Sequence, residues 1–209
     1  RIGVQAFKIG SGETNNYHFV NYILKKNKTT LISTGTSDWS DLKKLSEKFF
    51  NFKKNIILMH CVSNYPTKLK DANVKVIERI KNELNFTPGF SDHSTDNFSS
   101  IASIVCGAKI IERHYTISRM LPGIDQQASL EPNEFKDLRN NVDKIFKTLG
   151  SKKKVNSEAS KVIKGFSQSI VSIKKINKGE KLLAGKNIWY KRPGSGINCN
   201  KLFEINGSK

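Results

Sequence analysis

Five times before Gly150 a short apolar run gives way to a stretch with helical spacing, and this alternation restricts the fold more than any other feature of the chain. The runs are Ala6–Gly10, Thr30–Gly35, Asn55–Cys61, Pro88–Asp92 and Ala108–His114. The intervening helical patterns cover Tyr17–Lys26, Asp41–Phe50, Asn73–Leu84, Asn97–Cys106 and Pro132–Leu149. Short strands separated by helices predict an α/β fold with a parallel sheet, either doubly wound or closed into a barrel.

The position of the polar residues separates those two architectures. Lys8 and Ser11, Ser33 and Thr34, His60 and Ser63, Ser91 and His93, and Glu112 and His114 fall at or just beyond the C-terminal ends of their strands. A (β/α)₈ barrel carries its chemistry around that whole rim, whereas an open sheet concentrates it at one switch point. All of the units obey the pattern, so the expectation is the C-terminal part of a TIM barrel, residues 1–150. About three strands of such a barrel are then expected before Arg1. The chain starts inside strand-like sequence without an initiator methionine, and it reads as a fragment.

Beyond Gly150 the character changes. Residues 151–164, opening Ser151-Lys-Lys-Lys-Val-Asn-Ser157, read as a charged linker. Residues 165–209 read as a small β-rich module, cut short at Lys209, with strands at Ser169–Ile173 and Asn187–Tyr190 and a turn-rich segment Lys191–Ile197.

Composition excludes several classes. With 209 residues, 37% of them hydrophobic, the chain can build a core. No apolar run approaches the roughly 18 residues of a membrane span, and no signal peptide is visible at the start, so no membrane association is expected. The three cysteines, Cys61, Cys106 and Cys199, form neither an even disulfide framework nor a CxxC pair, which suits a reducing cytoplasm. The net charge of +18 admits two readings. A basic module could bind a polyanion, but the lysines are dispersed over every segment, as on a solvated surface, and no specific nucleic-acid partner is expected.

The rim residues carry the chemistry. Lys8-Ile-Gly-Ser-Gly-Glu13 places an ammonium, a hydroxyl and exposed backbone amides at a strand exit, and Ser33-Thr-Gly35 and Ser91 add hydroxyls. A phosphate monoester needs such donors and positive charge, although Ser-Gly and Thr-Gly are also ordinary turn chemistry. His93 and His114 end successive strands and would project from one rim of a parallel sheet. Two imidazoles leave open positions on a divalent ion for water and a substrate oxygen, as Lewis-acid catalysis requires. Asp92 either joins that site or points into the barrel wall, since neighbouring strand residues face opposite ways. In the loop Pro122–Pro132, Asp125 could accept hydrogen bonds from sugar hydroxyls, and Ser129 or Glu131 stands near a helix cap.

These motifs form an ordered set: Lys8-Ile-Gly-Ser11, Ile32-Ser-Thr-Gly35, His60-Cys-Val-Ser-Asn-Tyr-Pro66, Gly89-Phe-Ser-Asp-His-Ser94, Ile111-Glu-Arg-His-Tyr-Thr116, Pro122-Gly-Ile-Asp125, Ala128-Ser-Leu-Glu-Pro132 and Lys191-Arg-Pro-Gly-Ser-Gly-Ile197. In that order the chain resembles the N-acetylneuraminate (sialic acid) synthase family over nearly its whole length. The resemblance implies a TIM barrel followed by an SAF (antifreeze-like) domain. It also implies condensation of phosphoenolpyruvate with N-acetylmannosamine or a related acylamino hexose, giving a nonulosonic acid and phosphate. By position, His93 and His114 match the ligands of a catalytic divalent ion, usually Mn²⁺ with Mg²⁺ as the alternative. Lys8, Ser11, Ser33 and Ser91 match phosphoenolpyruvate-binding positions, with Ser63 near the carboxylate. Glu13, Tyr65 and Asp125 match positions around the sugar, and Phe166 a contact to its acyl group. Arg192 resembles the SAF-domain arginine that reaches the opposite subunit's active site in a swapped homodimer. Legionaminic and pseudaminic acid synthases share most of these motifs, and Ile124 and Gln126 depart from the commoner pattern beside the sugar. The competing expectations are an inactive partial product and the basic polyanion-binding module.

Overall fold

The computed structural model describes residues 3–151 and 157–209. The chain divides into two compact units, Arg1–Gly150 and Ser151–Lys209. In the first, five strands form one parallel sheet in sequential order: β1 (Ala6–Ile9), β2 (Thr29–Ser33), β3 (Ile56–Cys61), β4 (Thr87–Asp92) and β5 (Ile111–Arg113). The helices between them are α1 (Tyr17–Leu24), α2 (Trp39–Lys48), α3 (Val76–Arg79) and α4 (Phe98–Val105), and α5 (Pro132–Thr148) closes the unit.

Local chemistry fixes the helix starts. The Asn16 side chain caps α1 by accepting from the Phe19 amide. Asp38 and Asp41 form a reciprocal capping box on α2, and Glu131 and Glu134 do the same on α5, with Pro132 in its first turn. The helix expected over Asn73–Leu84 is shorter. After α3 it widens into a π turn, Ile80–Leu84, and stops at Asn85, whose φ of 58° is left-handed. The fifth strand is also shorter than the apolar run expected to form it, covering Ile111–Arg113 alone.

Side-chain alternation sorts the sheet into two faces. Ile9, Ile32, Ile56 and Leu58 pack outward with Val20 and Leu24 of α1, Leu42 and Leu45 of α2, and Phe49. Phe90 does so with Ile77 and Ala108. The opposite face is concave. Four strand spacings in a flat sheet would separate β1 from β5 by about 19 Å, yet the Lys8 ammonium of β1 meets the Glu112 carboxylate of β5 at 2.5 Å. The sheet is therefore rolled, a TIM-barrel-like half-barrel.

His60 belongs to the outer face, so the expectation that it joins the rim is corrected. It follows Ile56 and Leu58 in the same parity, stacks on Phe90 with centroids 5.7 Å apart, and donates from Nε2 to the Ala72 carbonyl at 2.9 Å. Asp92 likewise points into the wall and pairs there with Arg113.

In the second unit, α6 (Ser157–Phe166) precedes an antiparallel pair, β6 (Ser169–Ser172) and β7 (Ile188–Lys191), in register Ser169↔Lys191 to Ser172↔Ile188. The stretch read as a linker over 151–164 is thus helical from Ser157. The spacing Val162, Ile163, Phe166 gives it an apolar stripe that the lysine-rich composition conceals. No helix among the described residues is long and apolar enough to cross a membrane.

Burial holds the His60 pKa below its ordinary value, with the bond to Ala72 opposing more weakly. A histidine depressed in the folded state binds fewer protons there than when unfolded, so stability is full above about pH 6.5 and falls as pH drops below it. Urea midpoints are expected to be lower at about pH 5 than at about pH 8. His60→Gln, which does not titrate, is expected to reduce the difference; an undiminished difference would remove His60 from the account.

Candidate active site

The concave face collects the predicted residues by strand parity. Lys8, Ser33, Cys61, Ser91 and Glu112 alternate with the outward apolar positions, and His93 and His114 continue the inner rows just past β4 and β5. Met59 fills the lower interior, where a Cβ added to Gly89 would strike its sulfur. The polar groups therefore stand above a packed floor.

Three segments bring hydroxyls together around Gly35. The Gly35 amide donates to Ser11 Oγ at 3.0 Å, and Cys61 Sγ lies 3.3 Å from the same oxygen. A Cβ on Gly35 would meet Ser63 Oγ first, then Cys61 Sγ at 2.7 Å and Ser11 Oγ at 3.0 Å. Glycine is required here for space. Thr36 Oγ1 fixes the loop by donating to the Ser11 carbonyl at 2.6 Å, and Thr14 Oγ1 donates to the carbonyl of Ser33. Glu13, on the exposed turn after β1, accepts from the Asn16 amide side chain at 2.9 Å.

The histidines form the second cluster. Their rings are 5.2 Å apart and nearly perpendicular, and the Tyr65 ring lies 4.1 Å from His93 and 5.5 Å from His114. His93 Nδ1 is 2.8 Å from the Val62 carbonyl. A carbonyl only accepts, so Nδ1 carries the proton and Nε2 keeps its lone pair, 3.3 Å from Ser91 Oγ. Burial pushes the His93 pKa down, and the neighbouring His114 adds to that. Asp125 Oδ2 stands 3.6 Å from His114 Nδ1, within ion-pair reach but beyond a hydrogen bond. Burial also raises the Tyr65 hydroxyl pKa.

This donor chemistry fits a divalent ion. One imidazole is fixed in the tautomer a metal ligand needs, by the kind of carbonyl contact that orients such ligands. Among the described residues, no group of three or more His, Cys, Asp or Glu side chains is arranged to hold a metal, and His93 and His114 are two facing imidazoles without a third such ligand.

Phe166 and Arg192 lie in the second unit, where the guanidinium sits over the phenyl ring at 5.6 Å from its centroid. Residue order already places Glu112 at the rim and Gly35 in the Ser33-Thr-Gly35 strand exit; Cys61 is the neighbour left out of that set. Cys61 was legible from it, because i and i+2 on a strand share a face and Ser63 is two residues on. The Val62 carbonyl was not, since a backbone acceptor leaves no mark on residue type.

Fold and rim define an α/β protein of the β/α-barrel kind, and comparison with known proteins agrees. The chain belongs to the NeuB family, whose sequence pattern matches residues 1–154. It is 34% identical to the N,N'-diacetyllegionaminic acid synthase of Campylobacter jejuni, over 99% of this chain and 63% of that protein. An uncharacterised protein of Methanocaldococcus jannaschii is 37% identical over 98% of this chain and 61% of its own length. Among solved structures, an N-acetylneuraminic acid (sialic acid) synthetase from Leptospira borgpetersenii superposes with a TM-score of 0.71 at 34% identity, covering 78% of this chain and 57% of that one. The chain thus spans less than two thirds of the length of these relatives.

Filling the space at Gly35 tests the hydroxyl cluster. Gly35→Ala is expected to weaken binding of inorganic phosphate roughly tenfold, the scale of one lost hydrogen bond to a charged group. Calorimetric titration reads it, and unchanged affinity in a folded variant would remove this cluster as an anion site.

Proposed function

We propose that this chain forms part of the active site of an enzyme that condenses phosphoenolpyruvate with an acylamino hexose, giving a nonulosonic acid and phosphate. The observation that carries this reading is the convergence, on one concave rim, of an ammonium and several hydroxyls with a pair of imidazoles. Membership of a family that includes legionaminic and sialic acid synthases supports it. The hexose is N-acetylmannosamine or its counterpart in legionaminic or pseudaminic acid synthesis.

Lys8 and the hydroxyls of Ser11, Ser33 and Ser91 hold the phosphate, and Ser63 stands near the carboxylate. Glu112 keeps Lys8 extended into the concave space, where the more highly charged phosphate competes for it. Tyr65, Glu13 and Asp125 orient the hexose in its open-chain form. His93 and His114 would hold the divalent ion, Mn²⁺ or Mg²⁺, which when bound supplies Lewis-acid polarisation of the sugar aldehyde. The enol carbon of phosphoenolpyruvate forms a bond to the aldehyde carbon while the aldehyde π pair moves to its oxygen, which takes up a proton and becomes a hydroxyl. Water adds at the cationic carbon left beside the new bond and gives up its protons. As the bond from that carbon to the phosphate oxygen breaks, a ketone and phosphate result. The donors around Gly35 stabilise the departing phosphate.

Residues 165–209 contribute an SAF-type domain in this reading. Its Arg192 reaches the opposite subunit of a swapped homodimer, and Phe166 contacts the acyl group. The antiparallel pair β6–β7 is the strand structure this reading draws on. The enzyme works in the cytoplasm.

The test is phosphate release from phosphoenolpyruvate and N-acetylmannosamine, with and without Mn²⁺, in this chain joined to the N-terminal strands of a sialic acid synthase. Release is expected to require both metal and sugar, and His114→Ala is expected to abolish it. Normal turnover in His114→Ala would overturn the metal assignment. Failure with a full panel of acylamino hexoses, in a folded protein, would favour a non-catalytic chain.

A further inference from the structure

Directly behind the two imidazoles, on the convex side of the sheet, lies an ion pair sealed from solvent. Asp92 and Arg113 are register partners on β4 and β5, both side chains are 1% exposed, and Nη1 lies 2.6 Å from Oδ2. Each is followed in sequence by one of the histidines. Both also grip Ser94, the residue on the far side of His93. The Ser94 amide donates to Asp92 Oδ1 at 2.9 Å, while Arg113 donates from Nη2 to the Ser94 carbonyl at 2.6 Å and from Nη1 to its hydroxyl at 3.2 Å. Ser100 of α4 donates to Asp92 Oδ2 at 2.6 Å and anchors the pair to the helix layer.

A buried ion pair is poor value as a stabiliser, because desolvating two charges offsets most of their attraction; its best-attested use is to specify register. Register matters acutely here. A one-residue slip of β5 against β4 would turn the His114 side chain to the convex face and leave His93 without its partner. We infer that Asp92 and Arg113 are positioning residues that lock the β4–β5 register, and so hold the His93 and His114 imidazoles at the spacing a shared divalent ion requires. The inference rests on reading the two histidines as metal ligands. The clamp itself touches neither ion nor substrate, since its side chains leave the sheet on the opposite face.

The experiment is Mn²⁺ binding to this chain, followed by the electron paramagnetic resonance signal of the free ion, beside thermal melting and calorimetric binding of inorganic phosphate. The principal variant is Asp92→Leu/Arg113→Met, which exchanges the pair for apolar groups and so preserves burial without the directional lock. Mn²⁺ affinity is expected to fall about tenfold, the lower end of what removing groups behind a metal site costs, with phosphate affinity within about twofold. Ser100→Ala, which removes one anchor and keeps the pair, is expected to weaken Mn²⁺ in the same direction by a smaller factor, and it serves if the double variant fails to fold. Unchanged Mn²⁺ affinity in a folded variant, or a parallel loss of Mn²⁺ and phosphate binding, would overturn the clamp. Absence of Mn²⁺ binding in the unaltered chain would overturn the metal reading, and the clamp with it.

Discussion

Neighbouring side chains on a strand leave opposite faces of the sheet, and in a rolled parallel sheet this parity decides what each residue can do. Even positions of β3 send Ile56, Leu58 and His60 to the helix layer, while odd positions send Met59 and Cys61 to the concave side. The same rule divides Phe90 and Asp92 from Ser91 and His93. The convex side is paid for by apolar burial, at about 1.5–3 kcal/mol gross for each fully buried Leu, Ile or Phe. That anchoring lets the concave side carry a cluster of hydroxyls and two facing imidazoles in place of apolar packing.

Strand β5 illustrates how environment, not residue type, sets an ion pair's role. Glu112 and Arg113 are adjacent, and each has an oppositely charged partner on another strand. The Lys8–Glu112 pair is 36% and 40% exposed, so solvent screens it and another anion can compete for the lysine. The Asp92–Arg113 pair is closed to water, and every competing anion would have to be desolvated to reach it. One pair is suited to exchange and the other to permanence. The two lie one residue apart, on opposite sides of a single strand.

Much of this arrangement was legible from residue order. The five strand–helix units follow from apolar periodicity, and the clustering of polar residues at strand ends announced a rim. What the sequence could not supply was parity at strand ends, where the pattern has only one or two residues to establish it. His60 stands near the end of a strand as His93 and His114 do, but its run, Ile56-Ile-Leu-Met59, is apolar at both parities, and His60 falls in the row of Ile56 and Leu58. The roll of the sheet was foreseen from the polar rim, but the Lys8–Glu112 contact that closes it was not, because it joins residues 104 positions apart. The helix at Ser157–Phe166 was masked by lysines, which satisfy the polar face of an amphipathic helix as readily as they fill a linker.

The charge excess takes on a narrower meaning once the site is drawn. Lys and Arg outnumber Asp and Glu by 36 to 18, but Lys8, the lysine on the concave face, has an acidic partner. Lys8 is held by Glu112, so the lysine does not stand on the rim as an uncompensated charge. The surplus sits on dispersed surface lysines, and at physiological salt their fields fade over about 8 Å. They can raise the encounter rate of an anionic substrate without contributing to its grip. In the proposed reaction, selective binding of a phosphate would rest on short-range geometry instead: the Ser11 and Ser63 hydroxyls beside Gly35, and a lysine whose partner can be displaced. Those residues are spread over the exits of β1, β2 and β3, so the rolled sheet is what makes them one site.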